Sequence, residues 1–128
     1  MVDPAIIRVI YRHAPIEFAS GDEWVLVVDL QDETGAPFDT TNCALQWWLL
    51  DPNGFAAFPA DVGDGVTVTK IEPLTGGQVE VVVKRTVTVN FSPGYYTDSM
   101  HALMEDGSSE TRWIGHILVA ANTGMPRI

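Results

Sequence analysis

The chain has 128 residues, 46% of them hydrophobic, and at this size one core buries about two-thirds of the surface of the unfolded chain. Lys and Arg number 7 against 17 Asp and Glu, and the formal net charge of −10 repels a phosphate backbone, so nucleic acid is not an expected partner. No window approaches the ~18 apolar residues of a membrane helix, the start Met1-Val2-Asp3-Pro4-Ala5 has no basic stretch ahead of an apolar run, and neither a membrane span nor a classical signal is expected.

In chain order, the first apolar run is residues 6–11, Ile-Ile-Arg-Val-Ile-Tyr. From 22 to 30 the even positions Trp24, Leu26, Val28 and Leu30 are apolar, a period of two that buries one face of a strand. Residues 43–50 are a third candidate. Asp51-Pro52-Asn53-Gly54 follows it; proline sets the first central position of a type I turn and glycine takes the left-handed one, which predicts pairing with the next run, 55–58. Further strands are expected over 66–71, over 78–84 with Val79, Val81 and Val83 inward, and as a short piece over 87–91. The last two, 95–105 and 110–120, form a hairpin through Asp106-Gly107. No sustained helical period, repeat or linker divides the chain.

Ser92-Pro93-Gly94-Tyr95-Tyr96 is the most specific local signal. A proline-glycine turn that delivers a tyrosine at the start of a strand is the mark of a tyrosine corner, whose hydroxyl bonds back to the preceding loop in immunoglobulin-like sandwiches. The expected fold is therefore all-β: a single immunoglobulin-like antiparallel β-sandwich of about seven to nine strands. One domain spans 1–128, with the sandwich proper over residues 15–120. A closed barrel has the same strand spacing but no such corner. Cys43 is alone, so no intrachain disulfide joins the sheets. Trp47, Val81, Tyr96, Ile117 and Val119 are the expected core.

Chemistry is sparse by comparison. His13, His101 and His116 lack zinc spacing, although His101 and His116 could face one another across the last hairpin. Asp61-Val62-Gly63-Asp64-Gly65 is a turn without the closing glutamate of a calcium loop, and Gly76-Gly77 precedes a strand instead of a helix that would cradle phosphate. Serines 20, 92, 99, 108 and 109 sit in no nucleophile elbow. No catalytic, cofactor or metal site is expected, and the chain is not expected to be an enzyme.

Binding has better material. Adjacent strand residues point to opposite faces, so Trp47 with Cys43, Leu45 and Leu49 goes inward, and Trp48 with Leu50 goes outward. An outward Trp beside Leu fits a subunit interface first, and a patch covered by the termini or a sugar platform after it. The apolar ends, including Ile6, Tyr11, Met125 and Ile128, join Trp48 and Leu50 as expected interface residues. A carbohydrate-binding module is the alternative, with Trp48, Tyr11, Tyr95 or Trp113 as stacking surfaces.

The succession Gly21-Asp22, Asp32-x-x-Gly35-x-Pro37-x-Asp39, Asp51-x-x-Gly54, Gly77-x-Val79-x-Val81, Pro93-Gly94-x-Tyr96-x-Asp98 and Gly115-x-Ile117-x-Val119 resembles the immunoglobulin-like module of bacteriophage tail and baseplate proteins, as in the N-terminal domain of baseplate upper proteins. The resemblance runs over about residues 15 to 120 and rests on turn glycines and strand ends. It implies a virion location and a structural role in a tail, baseplate or fibre, through self-association or docking on other virion proteins. The family module often heads a longer, host-reaching chain; ending at Ile128, this sequence is expected to serve as an accessory or adaptor subunit.

Overall fold

The computed structural model describes residues 6–10 as backbone, and residues 16–59, 63–107 and 110–121. Among the described residues there are eight strands: β1 (Ile6–Ile10), β2 (Ile16–Ala19), β3 (Trp24–Asp29), β4 (Cys43–Leu50), β5 (Val66–Lys70), β6 (Gln78–Val83), β7 (Gly94–Met104) and β8 (Glu110–Ala120). They form two four-stranded sheets, ordered β1-β3-β6-β5 and β2-β8-β7-β4. Without the edge strand β2, the arrangement is the four-plus-three immunoglobulin sandwich. Antiparallel pairing dominates, yet each sheet has one parallel pair at an edge, β1 with β3 and β2 with β8.

The core follows the two-residue period. Trp24, Leu26 and Val28 from β3 and Val79, Val81 and Val83 from β6 meet Trp47 and Leu49 from β4, Tyr96 and Met100 from β7, and Ile117 and Val119 from β8. The five expected core residues are all inside, none more than 4% exposed. Each buried tryptophan also places its indole N–H. Trp24 donates to the Ala19 carbonyl at 2.9 Å, Trp113 to the Gln31 carbonyl at 2.8 Å, and Trp47 to the Asp98 carboxylate at 3.2 Å. The indoles therefore contribute burial without leaving an unpaired donor.

Asp98 is itself only 4% exposed, and a carboxylate taken out of water needs donors. Trp47 supplies one, and the room comes from Gly115 across the hairpin, where an added Cβ would lie 2.9 Å from the carboxylate oxygen Oδ1. At the other end of the hairpin the tyrosine corner is as expected: the Tyr96 hydroxyl donates to the Ser92 carbonyl at 2.8 Å. Burial pushes this phenol above its ordinary range, which keeps the donor protonated.

Two local expectations are corrected, and one unexpected strand is added. Residues 87–91 are not a strand: the helix α1 (Arg85–Thr88) and its following turn occupy this stretch. A strand would put Val87, Val89 and Phe91 on one face, whereas a helical path buries Val87 and Phe91 and leaves Val89 57% exposed. The Thr88 hydroxyl then ties the helix to the Asp22 carbonyl at 2.6 Å. Residues 55–58 do not form a full strand either. They fold back after the predicted turn, with Gly54 at φ +86°, to give a bridge between Leu50 and Ala56 flanked by Asp51 N–H to Phe55 carbonyl and Ala57 N–H to Leu49 carbonyl bonds. The sequence reading also omitted β2, whose four residues pair with the distant β8.

Candidate docking face

The outer face of the β2-β8-β7-β4 sheet can be built row by row. Inward positions on β7 and β8 alternate with outward ones, and the antiparallel register fixes which outward side chains stand together. Trp48, Ser99 and Ile114 share a row; Leu50, Thr97 and His116 share the next; Tyr95, Leu118 and Glu17 share the third. In the opposite direction lie Gln46, His101 and Arg112, then Ala44, Leu103 and Glu110.

This face carries most of the exposed large hydrophobic groups among the described residues. Leu50 is 37% exposed, Tyr95 50%, Leu103 51%, Ile114 47% and Leu118 39%. Phe55 and Val89, the other two, lie in turns. Trp48 is half-buried in its row, as expected of a flat indole on a sheet, and its outward orientation opposite the buried Trp47 agrees with the alternation. The Tyr95 ring packs against the His116 imidazole with centroids 5.3 Å apart. His116 Nδ1 is buried there without a protein partner. Acidic groups flank the patch: Glu17 beside Leu118, Asp51 after Leu50, Glu105 past the end of β7, and Glu110 at the start of β8.

Of the residues expected at an interface, Trp48 and Leu50 are on this face. Ile6 lies in β1, at the edge of the other sheet, and Tyr11, Met125 and Ile128 lie outside the described residues. Trp113, expected as an alternative stacking surface, is instead 2% exposed, because it points between the sheets and Phe38 packs edge-on against it at 4.8 Å. His101 and His116 do not face each other; they pair with Arg112 and Thr97 respectively. Asp61 and the Asp64 side chain fall outside the described residues.

One constellation on the same face was missed by sequence reasoning. Ser99 Oγ is 3.1 Å from His101 Nε2, and His101 Nδ1 is 2.8 Å from Glu110 Oε1. The bond from His101 is the first cause holding the Glu110 carboxyl below its ordinary range, aided by the nearby Arg112 guanidinium at 3.6 Å. Ser99 and His101 are two apart on one strand, and Glu110 reaches them only through the hairpin register, so no contiguous motif announces the group. Its signal was the Ser-x-His alternation next to a recognised hairpin.

No protein-family model matches the chain, and no curated protein matches it in sequence. Solved structures do. The N-terminal domain of phage TP901-1 ORF48 aligns with a TM-score of 0.55 at 10% identity, covering 91% of this chain and 97% of that one. The cysteine protease inhibitor EhICP2 from Entamoeba histolytica aligns at 0.49 and 13% identity, over 94% and 100% of the two chains. A chimeric titin Z1Z2 aligns at 0.46 and 14%, over 85% and 88%. At such identities the likeness is one of fold: a two-sheet sandwich shared along most of its length with a phage protein domain.

Proposed function

We propose that this chain is a structural subunit of a bacteriophage or prophage particle, an accessory or adaptor piece of a tail, baseplate or fibre, that works by non-covalent docking. The contact is the outer face of the β2-β8-β7-β4 sheet, and its partner is a protein surface with an apolar centre and a rim of Lys and Arg. The observation that carries this is the concentration of Leu50, Tyr95, Ile114 and Leu118 around Trp48 on one face, since exposed apolar groups clustered this way mark sites that another surface covers. Charge chooses the partner. Among the described residues, Glu17, Asp51, Glu105 and Glu110 stand around the patch with Arg112, on a chain of net charge −10, so a second copy meets repulsion at the rim and a basic surface meets attraction. The phage placement draws support from the sandwich shared with the ORF48 domain and from the turn and strand-end succession that resembles phage modules.

Light scattering tests the reading, on the purified chain alone and mixed with each protein encoded beside it. The expected result is a defined complex with one of these proteins, weakened ~30-fold or more by Trp48→Glu or Leu118→Glu, as for loss of a central anchor. A chain that stays alone with every neighbour, yet retains a polysaccharide that Trp48→Glu releases, overturns it.

A further inference from the structure

We propose that Ser99 is an activated nucleophile, the acyl-accepting group of a site on this face that takes carboxylic esters and thioesters with a small apolar acyl group. The inference rests on the hydrogen-bond relay; because Ser99 lies within the face proposed for docking, the site acts in the undocked chain. An ionised carboxylate only accepts hydrogen bonds, so the 2.8 Å contact with Glu110 places the imidazole proton on His101 Nδ1. In the neutral imidazole, the form that acts as a base, the lone pair is then on Nε2, where it accepts from the Ser99 hydroxyl at 3.1 Å. Nucleophile, base and orienting carboxylate stand in the order that acyl transfer requires, at hydrogen-bonding distances. The Glu110 and His101 side chains are 44% and 20% exposed, so the relay is open to a substrate approaching the sheet.

The neighbouring rows indicate what that substrate is. Ser99 lies between Trp48 and Ile114, which wall its row with apolar surface suited to an acyl chain. His101 lies between Gln46 and Arg112, so polar groups flank the side on which a carbonyl oxygen and a leaving group are accommodated. In the step, Ser99 Oγ forms a bond to the carbonyl carbon while its proton passes to His101 Nε2. The bond from that carbon to the alcohol oxygen or thiol sulfur breaks, and the leaving group takes the proton from Nε2. The products are an acyl-Ser99 ester and a free alcohol or thiol, and water attacking by the same route returns the serine and releases the acid. Glu110 touches no reacting atom; it is a positioning residue that acts through His101.

Incubation of the intact chain with p-nitrophenyl butyrate tests this, read by release of the nitrophenol, by whole-protein mass and by peptide mapping. One butyryl group on Ser99 is expected, absent in Ser99→Ala. His101→Gln should slow the acylation ~100-fold, within the range a positioned general base contributes. Glu110→Gln should slow it less and alter the pH–rate profile, which a merely structural role would leave unmoved. Matching thermal unfolding of the variants keeps folding out of the comparison. Wild-type protein that releases nitrophenol no faster than Ser99→Ala and carries no adduct at Ser99, or acylation that is as fast in His101→Gln, overturns the proposal.

Discussion

Among the described side chains, the two sheets are alike inside and unlike outside. Both give the core a full row of buried side chains, β3 and β6 from one sheet and β4, β7 and β8 from the other. On the outer face of the first, the described side chains of β3, β5 and β6 include Val25, Val27, Thr67, Thr69, Gln78, Glu80 and Val82, none of them an exposed large hydrophobic. The second exposes Leu50, Tyr95, Leu103, Ile114 and Leu118. Folding needs one apolar face per sheet, and the exposed apolar residues on the second sheet go beyond that need. That surplus is the reason for placing function there.

The comparison breaks most sharply at Trp47 and Trp48, neighbours in sequence on opposite sides of β4. Trp47→Ala removes an indole packed against Phe58 and leaves Asp98 without one of its donors, and should cost about 3–5 kcal/mol in chemical denaturation. Trp48→Ala should cost clearly less. Equal losses at the two positions would erase the distinction between core and docking face.

Gly115→Ala is the next largest. The added Cβ meets Asp98 Oδ1 at 2.9 Å, and moving a buried carboxylate away from its donor should cost about 1–3 kcal/mol. Glycine elsewhere on the chain gives the contrast, since at Gly107 a Cβ meets nothing within 4 Å and the φ of +72° is the cause of any loss.

How much of this was legible follows from where the signals lie. Inward and outward positions on β4 and β6, and Ile117 and Val119 on β8, could be read from the alternation, and the corner at Tyr96 from its proline-glycine turn, because each depends on residues close in sequence; Trp113, on the same inward register of β8, was expected outside. The stretch 87–91 misled because Val87, Val89 and Phe91 satisfy a period of two as well as Val87 and Phe91 satisfy a spacing of four. Strand β2 is only four residues long and gains its identity from a parallel partner about a hundred positions away. The Ser99, His101 and Glu110 relay failed to show for the same reason in miniature: its members are ordinary surface residues until the hairpin register aligns them.

Tyr96→Phe sharpens the account at its smallest scale. The ring stays in the core against Phe91, with centroids 5.8 Å apart, and only the bond from the hydroxyl to the Ser92 carbonyl is lost. A single such bond contributes about 0.5–1.5 kcal/mol, so the variant should unfold at slightly lower denaturant with an unchanged slope. Because Tyr96 faces inward while the neighbouring Tyr95 is half exposed on the docking face, the pair repeats the contrast between Trp47 and Trp48 one strand over. Tyr95→Phe, which keeps the exposed ring, should leave stability within about 0.5 kcal/mol of wild type. If Tyr95→Phe were the more damaging of the two, the corner would be anchored by the wrong tyrosine, and the assignment of inner and outer positions along β7 would fall with it.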